Sequence, residues 1–180
     1  MLDFATMHEP PAGGPFHTRI RVRYEETDAA GVVYYANYLV YFEVARVEAL
    51  RAVGMPIGAV EERGVILPAV TASCTYHSPA HVDDLLDVAM WTDHVGRASF
   101  GFRYEVRRVG DGGTPLDAPL GAASGASSDP TGDEPGRGCD LIASGATRHA
   151  VVDRDSMRPV RIDGWIADLM ARAQEWRPPS

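Results

Sequence analysis

The feature that most constrains the fold is one long run of helical periodicity set among short alternating segments. Between residues 33 and 53, apolar or aromatic residues recur at helical spacing, at Tyr35, Tyr38, Leu39, Phe42, Ala45, Ala49, Leu50 and Val53. Gly54 and Pro56 then supply stop signals. A helix of about 20 residues is roughly 30 Å long. It is therefore long enough to cross a small sheet.

Strand-like alternation precedes and follows this helix. In residues 18–24, Ile20, Val22 and Tyr24 alternate with arginines, which predicts a strand with one buried face. Alternation in residues 70–76 and 99–107 and a mostly apolar run in residues 85–92 predict three more strands, and residues 141–152 are a candidate for a last one. The order of these elements, one strand, one long helix and then four strands, predicts an α+β fold. In this fold an antiparallel sheet of about five strands wraps around one long central helix.

The rest of the chain is expected to add little to this core. Residues 1–15 read as a flexible N-terminal tail, and residues 16–180 as a single domain. A Gly/Pro-rich segment at about 110–138 lies between two predicted strands, and we expect a flexible insertion because it cannot bury enough apolar area to offset its ordering entropy. Helical spacing in residues 163–176 predicts a short C-terminal helix.

Charge and composition disfavour several classes of protein. The formal net charge of −8 argues against nucleic-acid binding, which needs a basic face. No apolar run approaches the roughly 20 residues that span a bilayer. The N-terminus also lacks a signal-peptide pattern, so we expect a cytoplasmic location.

A metal site is not expected either. Cys74 and Cys139 are too few and too scattered for a disulfide framework or a zinc site. Pro79 lies between His77 and His81, so no helical turn can hold both imidazoles on one face.

The segment that carries chemistry lies where the first strand gives way to the helix. Asp28 falls in a polar turn, Gly31 follows three residues later, and the first helical turn is expected near Val33–Tyr35. The free N–H groups of that turn and the helix dipole favour negative charge. Such donors stabilise the oxyanion of acyl transfer, and a nearby carboxylate can attack a carbonyl or activate water. An aspartate in a turn is also a common cap or turn former, so spacing alone leaves its role open.

Many positions of this segment fit one known pattern at once. They are Arg21-Val22, Thr27-Asp28, Gly31-Val32-Val33, Tyr35 and Tyr38. The pattern resembles the 4-hydroxybenzoyl-CoA thioesterase family of hotdog proteins, and the short-chain acyl-CoA thioesterases of bacterial Tol–Pal gene clusters. The resemblance implies a hotdog fold and hydrolysis of an acyl-CoA to the free acid and CoA. It implies no cofactor, since CoA is part of the substrate, and a homodimer or homotetramer with sites at the subunit interface.

The resemblance also assigns roles to individual residues. Asp28 matches the catalytic carboxylate, as nucleophile or general base, and Tyr35 matches the position whose backbone N–H polarises the thioester carbonyl. Gly31 matches the glycine that lets the backbone turn closely around the site. Many Tol–Pal-type members carry His where this chain has Tyr35, and this departure favours a mechanism with an aspartate and backbone donors.

Five further residues are expected to contact the substrate. They are Val33, Asn37, Tyr38, His77 and Arg97. His77 would line the acyl pocket, Asn37 would meet the pantetheine arm and Arg97 would bind the CoA phosphates. The alternatives are a surface helix position for Asn37 and a solvated turn for Arg97.

Two other functions stay open. A hotdog dehydratase or hydratase acting on acyl thioesters would use a His or Glu on or near the central helix. Glu43 is the only obvious counterpart, and the Thr27-Asp28 and Gly31 pattern speaks against it. A non-catalytic acyl-CoA-binding protein would bind the thioester without releasing thiol.

Overall fold

The computed structural model describes residues 15–109 and 140–175. The expected N-terminal tail, apart from its last residue, and the insertion at 110–138 therefore lie outside the described residues. The larger elements are β1 (Phe16–Arg21), α1 (Asn37–Ala52), β3 (Ala69–Tyr76), β4 (Leu85–Val95), β5 (Ser99–Arg108), β6 (Leu141–Ala150) and α3 (Gly164–Glu175). The shorter ones are α2 (Ile57–Glu61), β2 (Val65–Ile66) and β7 (Val152–Asp153). Within these ranges, no helix is long and apolar enough to cross a membrane.

Five strands form one antiparallel sheet in the order β1-β4-β5-β6-β3. Because β1 and β3 occupy opposite edges, the connection between them must cross the sheet, and α1 makes that crossing in contact with β1, β4 and β3. The expected α+β architecture, with one long helix on a five-stranded antiparallel sheet, is confirmed. The small elements α2, β2 and β7 carry too short a pattern to have been predicted.

The central helix begins later than its periodicity predicts. It starts at Asn37, because Val33 pairs with Thr27 in an isolated β-bridge and donates its N–H to the Ala80 carbonyl over 2.8 Å. The buried stripe of α1 consists of Tyr38, Tyr41, Phe42, Ala45, Ala49 and Leu50. The apolar spacing was therefore read correctly, but it extends into a loop that is not helical.

The prediction that Tyr24 faces the core is wrong. The first strand ends at Arg21, and residues Tyr24–Glu26 form a single 3-10 turn. Because the chain leaves the sheet there, strand alternation no longer applies, and the Tyr24 side chain is 84% exposed.

A chain of hydrogen-bonded polar side chains runs from His149 through Thr147 to Tyr104. His149 is buried, and its Nδ1 lies 3.2 Å from the Leu67 carbonyl oxygen, so Nδ1–H donates. Its Nε2 therefore accepts from the Thr147 hydroxyl at 3.0 Å, and the Tyr104 hydroxyl donates to Thr147 at 3.1 Å. Burial and the nearby positive charge of Arg46 lower the pKa of His149 to about 4. The ring is therefore neutral in the folded protein at neutral pH.

We expect His149 to make the protein less stable in mild acid. The unfolded residue takes up a proton below its ordinary pKa of 6.5, whereas the folded one does so only near a pKa of about 4. The unfolded state then binds more protons, and stability falls as the pH falls through this window, by up to about 1.4 kcal/mol per pH unit. Urea unfolding of the wild type and of His149→Gln from pH 7 to 4 measures this, with exposed His77→Gln as the control. An unchanged pH slope in His149→Gln would contradict the assignment.

Candidate active site

The residues between β1 and α1 form a compact loop. Thr27 pairs with Val33 across its base, and the Asp28 N–H donates to the Val32 carbonyl over 2.9 Å. The Gly31 N–H returns to the Asp28 carbonyl, also over 2.9 Å, and Gly31 has φ +77°. A residue without Cβ adopts this left-handed conformation at low cost. Gly31 therefore allows the tight turn that brings its own N–H back to the Asp28 carbonyl.

The Asp28 carboxylate is held at one oxygen and open at the other. Its Oδ1 accepts the Ala30 N–H over 2.8 Å, which is an Asx turn. Among the described residues, Oδ2 has no hydrogen-bond partner, and the residue is exposed. One carboxylate oxygen is therefore available to a substrate or a water molecule.

Free backbone donors lie just before α1. Tyr35 and Ala36 form a turn that precedes Asn37, and in the described part of the chain neither N–H donates to a carbonyl. The Tyr35 carbonyl accepts the Tyr76 hydroxyl over 3.0 Å, which fixes the orientation of the peptide between Tyr35 and Ala36. Tyr35 thus lies two residues ahead of the helix instead of in its first turn, but its amide is still among the free donors at that end.

An open cleft of about 350 Å³ joins the carboxylate to this turn. It is lined by Asp28, Val32, Val33, Tyr35, Tyr38, Tyr76, His77, Ser78 and Pro79. Five of the predicted site residues are therefore brought together, namely Asp28, Val33, Tyr35, Tyr38 and His77. The volume lies at the lower end of the range of small-molecule pockets, about 300–1,000 Å³.

The wall formed by the end of β3 was missed by sequence reasoning. Tyr76 is the last residue of β3, lies 41 positions from the Tyr35 carbonyl that it binds, and its ring centroid is 5.3 Å from that of Tyr38. Ser78 and Pro79 follow it into the cleft. The alternation of β3 marked Tyr76 as a strand residue, but nothing local to it signals which loop it faces.

Three other polar side chains near the cleft are Tyr38, Cys74 and His77. Burial raises the pKa of Tyr38 to about 12 and also raises the pKa of the Cys74 thiol. The His77 Nε2 lies 2.8 Å from the Ser144 hydroxyl oxygen. Over the described ranges, no group of three or more His, Cys, Asp or Glu side chains is arranged to hold a metal ion.

Two predicted substrate contacts are not found in the cleft of a single chain. The Asn37 side-chain amide donates to the Glu26 carbonyl over 2.8 Å, so it fastens the start of α1 to the loop. Arg97 lies in the turn between β4 and β5, at the end of the sheet opposite Tyr76. One copy of the chain therefore cannot bring Arg97 to the cleft, because strand direction separates them.

A second cleft, of about 440 Å³, lies beside α3 and is not the candidate site. Its polar side chains are used to hold α3 on the body of the protein. The Arg63 guanidinium lies 4.7 Å above the centre of the Trp165 ring, and Arg172 donates to the Val53 carbonyl over 3.4 Å. These are packing contacts of a C-terminal helix.

Comparison with known proteins gives consistent results. The sequence signature described as the thioesterase superfamily matches residues 30–114. An acyl-CoA thioesterase of Haemophilus influenzae, YbgC, is 38% identical over 94 residues, which cover 52% of this chain and 69% of that protein. A protein of Thermus thermophilus has a solved structure with TM-score 0.66 and 32% identity, covering 86% of this chain and 96% of that one. A 4-hydroxybenzoyl-CoA thioesterase structure, with TM-score 0.67 and 20% identity over 87% of this chain and 98% of that one, shares the fold.

Proposed function

The chain belongs to the thioesterase superfamily, and on that premise we propose that it hydrolyses an acyl-CoA thioester to the free acid and CoA, with Asp28 as its catalytic carboxylate. The observation that carries this proposal is one cleft lined both by Asp28, which has an open carboxylate oxygen, and by Tyr35, whose N–H is free among the described residues. Thioester hydrolysis needs this pair of features. One acts at the carbonyl carbon and the other stabilises the charge that develops on its oxygen.

In the proposed reaction, the thioester carbonyl oxygen points at the turn of Tyr35 and Ala36. Their N–H groups stabilise the oxyanion of the tetrahedral intermediate, and each such donor is typically worth about 3 kcal/mol. Asp28 either attacks the carbonyl carbon, giving an anhydride that water then hydrolyses, or takes a proton from the attacking water. In the first version CoA leaves as the thiolate, and the water that opens the anhydride supplies the proton that makes the thiol. In the second version the proton taken by Asp28 passes to the departing sulfur, so CoA leaves as the thiol.

The acyl group would lie along the apolar wall of the cleft. Val33, Tyr38 and Pro79 provide that wall, and His77 with its Ser144 partner stands at the same edge. No group in this arrangement needs a cofactor, and we expect full activity after dialysis against a chelator. The cytoplasmic location expected from the sequence remains part of the proposal.

A second copy of the chain would complete the site. The edge strand β3 is eight residues long, and Val70 and Tyr76 on it are 61% and 49% exposed. The helix α1 also exposes Leu39, Val40 and Val44. Long free edges pair readily, and a twofold axis would pair β3 with its copy in antiparallel fashion. Light scattering should give at least a dimer, and a monomer at micromolar concentration would overturn this part.

Such pairing would also restore a role for Arg97. Antiparallel β3 strands set the Ala69 end of one copy beside the Tyr76 end of the other. Arg97 lies toward the Ala69 end of its own sheet, where β5 and β6 pair Ser99 with Ala150. A contact between Arg97 and the CoA phosphates is therefore a proposal that depends on the dimer.

Thiol release from a panel of acyl-CoA substrates tests the function. We expect steady release of free CoA from at least one short, medium or aromatic acyl-CoA. Hydration of an enoyl-CoA without thiol release would favour the dehydratase or hydratase alternative. Acyl-CoA binding without thiol release over hours would favour a binding protein.

A further inference from the structure

A buried carboxylate lies two residues before Asp28 and is not used by the proposed chemistry. Glu26 is 7% exposed and ends the 3-10 turn that follows β1. Its Oε2 accepts the Arg23 N–H over 2.8 Å and the Tyr41 hydroxyl over 3.0 Å. Its Oε1 accepts the Arg23 Nε and Nη2 over 3.2 and 2.9 Å. Every oxygen of this carboxylate therefore has at least two donors.

The hydrogen bonds outweigh the cost of burial. Burial alone would raise the pKa of Glu26, but the donors from Arg23 and Tyr41 hold that pKa below its ordinary value. The carboxylate is thus charged at neutral pH and binds the Tyr41 phenol strongly, as charge-assisted hydrogen bonds do. Tyr41 is 1% exposed and sits one turn into α1. The Glu26 side chain therefore connects the loop to α1 through the Tyr41 hydroxyl.

The backbone of Glu26 ties the other end of the same loop. Its carbonyl oxygen accepts the Tyr34 N–H and the Asn37 side-chain amide, each over 2.8 Å. Asp28 follows Glu26 by two residues along the chain. The residues with free amides, Tyr35 and Ala36, lie in the sequence between the two donors Tyr34 and Asn37. The start and the end of the loop are thus fastened to one residue.

We propose that Glu26 is the positioning residue of the site, because its carboxylate and carbonyl together set the separation between Asp28 and the Tyr35–Ala36 amides. This inference rests on the proposed hydrolysis for its catalytic consequence only. Its structural content, a loop clamped through Glu26 and Tyr41, holds independently of the reaction. Small displacements of a catalytic group cost large factors in rate, up to about 10²-fold for 1 Å, so a clamp of this kind acts on kcat.

Two tyrosine variants separate positioning from general stability. Tyr41→Phe removes the hydroxyl that joins Glu26 to α1. Tyr104→Phe removes the hydroxyl of a similarly buried tyrosine, whose hydrogen-bond partner among the described residues is Thr147. We expect Tyr41→Phe to lower kcat about tenfold with KM within about twofold, and Tyr104→Phe to leave kcat within about twofold. Glu26→Gln should lower kcat similarly, and adding it to Tyr41→Phe should cost little more because the two residues act as one unit.

A measurement without turnover keeps the clamp testable if no substrate is found. Amide hydrogen exchange at Tyr34 and Asp28, whose N–H groups bond to Glu26 and Val32, should be faster in Tyr41→Phe than in Tyr104→Phe or the wild type. Equal exchange in both tyrosine variants, or equal losses of kcat, would overturn the proposal. Faster loop exchange together with an inactive wild type would retain the clamp and reject the hydrolysis.

Discussion

Asp28→Asn is expected to lower kcat/KM for acyl-CoA hydrolysis by at least about 100-fold while the fold persists. Asparagine has the same shape and keeps an oxygen that can accept the Ala30 N–H, so the Asx turn of the loop survives. The variant loses the negative charge that attacks the carbonyl or takes the proton of water. The measurement is thiol release by wild type and variant at matched protein concentration, with circular dichroism to verify folding.

The chain offers a matched control for this substitution. Asp83 is exposed, has φ +67° and lies in the turn before β4. Asparagine tolerates the left-handed region as well as aspartate does, so Asp83→Asn should leave both activity and stability unchanged. If Asp28→Asn keeps the activity of Asp83→Asn, Asp28 has no part in the mechanism and the reaction must use another group.

The large elements of this fold were predictable because their patterns are long. The stripe of α1 covers four turns, and β5 alternates over Phe100, Phe102, Tyr104 and Val106, all of which are buried. Boundaries were less accurate, because they depend on distant partners. The start of α1 is set by the pairing of Val33 with Thr27 and by the Ala80 carbonyl. Neither interaction can be recognised from the spacing of apolar residues along the sequence.

The residues of the candidate site also differ in how far the sequence alone predicts them. Asp28 and Gly31 lie within one short segment whose pattern can be read directly from the sequence. Tyr76 reaches the site only because the end of β3 passes beside the loop. Glu26 looked like one of two acidic residues in a polar turn, yet it is buried while Glu25 is exposed. Burial of a charged side chain is set by the tertiary partners that it finds, and no single-sequence pattern shows it.

Gly145→Ala is expected to destabilise the protein by about 3 kcal/mol or more, through overpacking of the core. Gly145 lies in β6, paired with Tyr104 of β5 and Cys74 of β3. A Cβ at this position would overlap the Ser73 carbonyl oxygen and lie 2.5 Å from Cε2 of Phe42. Neither neighbour can give way easily, because one is backbone and the other is a fully buried ring.

The reason lies in how α1 meets the sheet. The Phe42 ring is 0% exposed and stacks on Tyr104, with centroids 4.4 Å apart and planes 11° from parallel. The missing side chain of Gly145 leaves the space that this ring fills, so the glycine sets how closely the helix approaches the strands. Interiors packed at crystal-like density transmit such a clash instead of absorbing it. Urea unfolding measures the loss. The control is Gly58→Ala in α2, where no atom of the described residues lies within 4 Å of the added Cβ, and this variant should be neutral or stabilising.

A second variant tests whether the clash with Phe42 is the cause. Combining Gly145→Ala with Phe42→Leu removes the ring atoms that the new Cβ would meet, so the double variant should lose less stability than the sum of the single losses. Additive losses would show that the ring is not the obstacle and would place the cost in the contact with the Ser73 carbonyl. Because α1 begins at the free amides beside Asp28, a helix pushed off the sheet should also lower kcat. The packing of one glycine in β6 is in this way linked to the geometry of the loop that precedes α1.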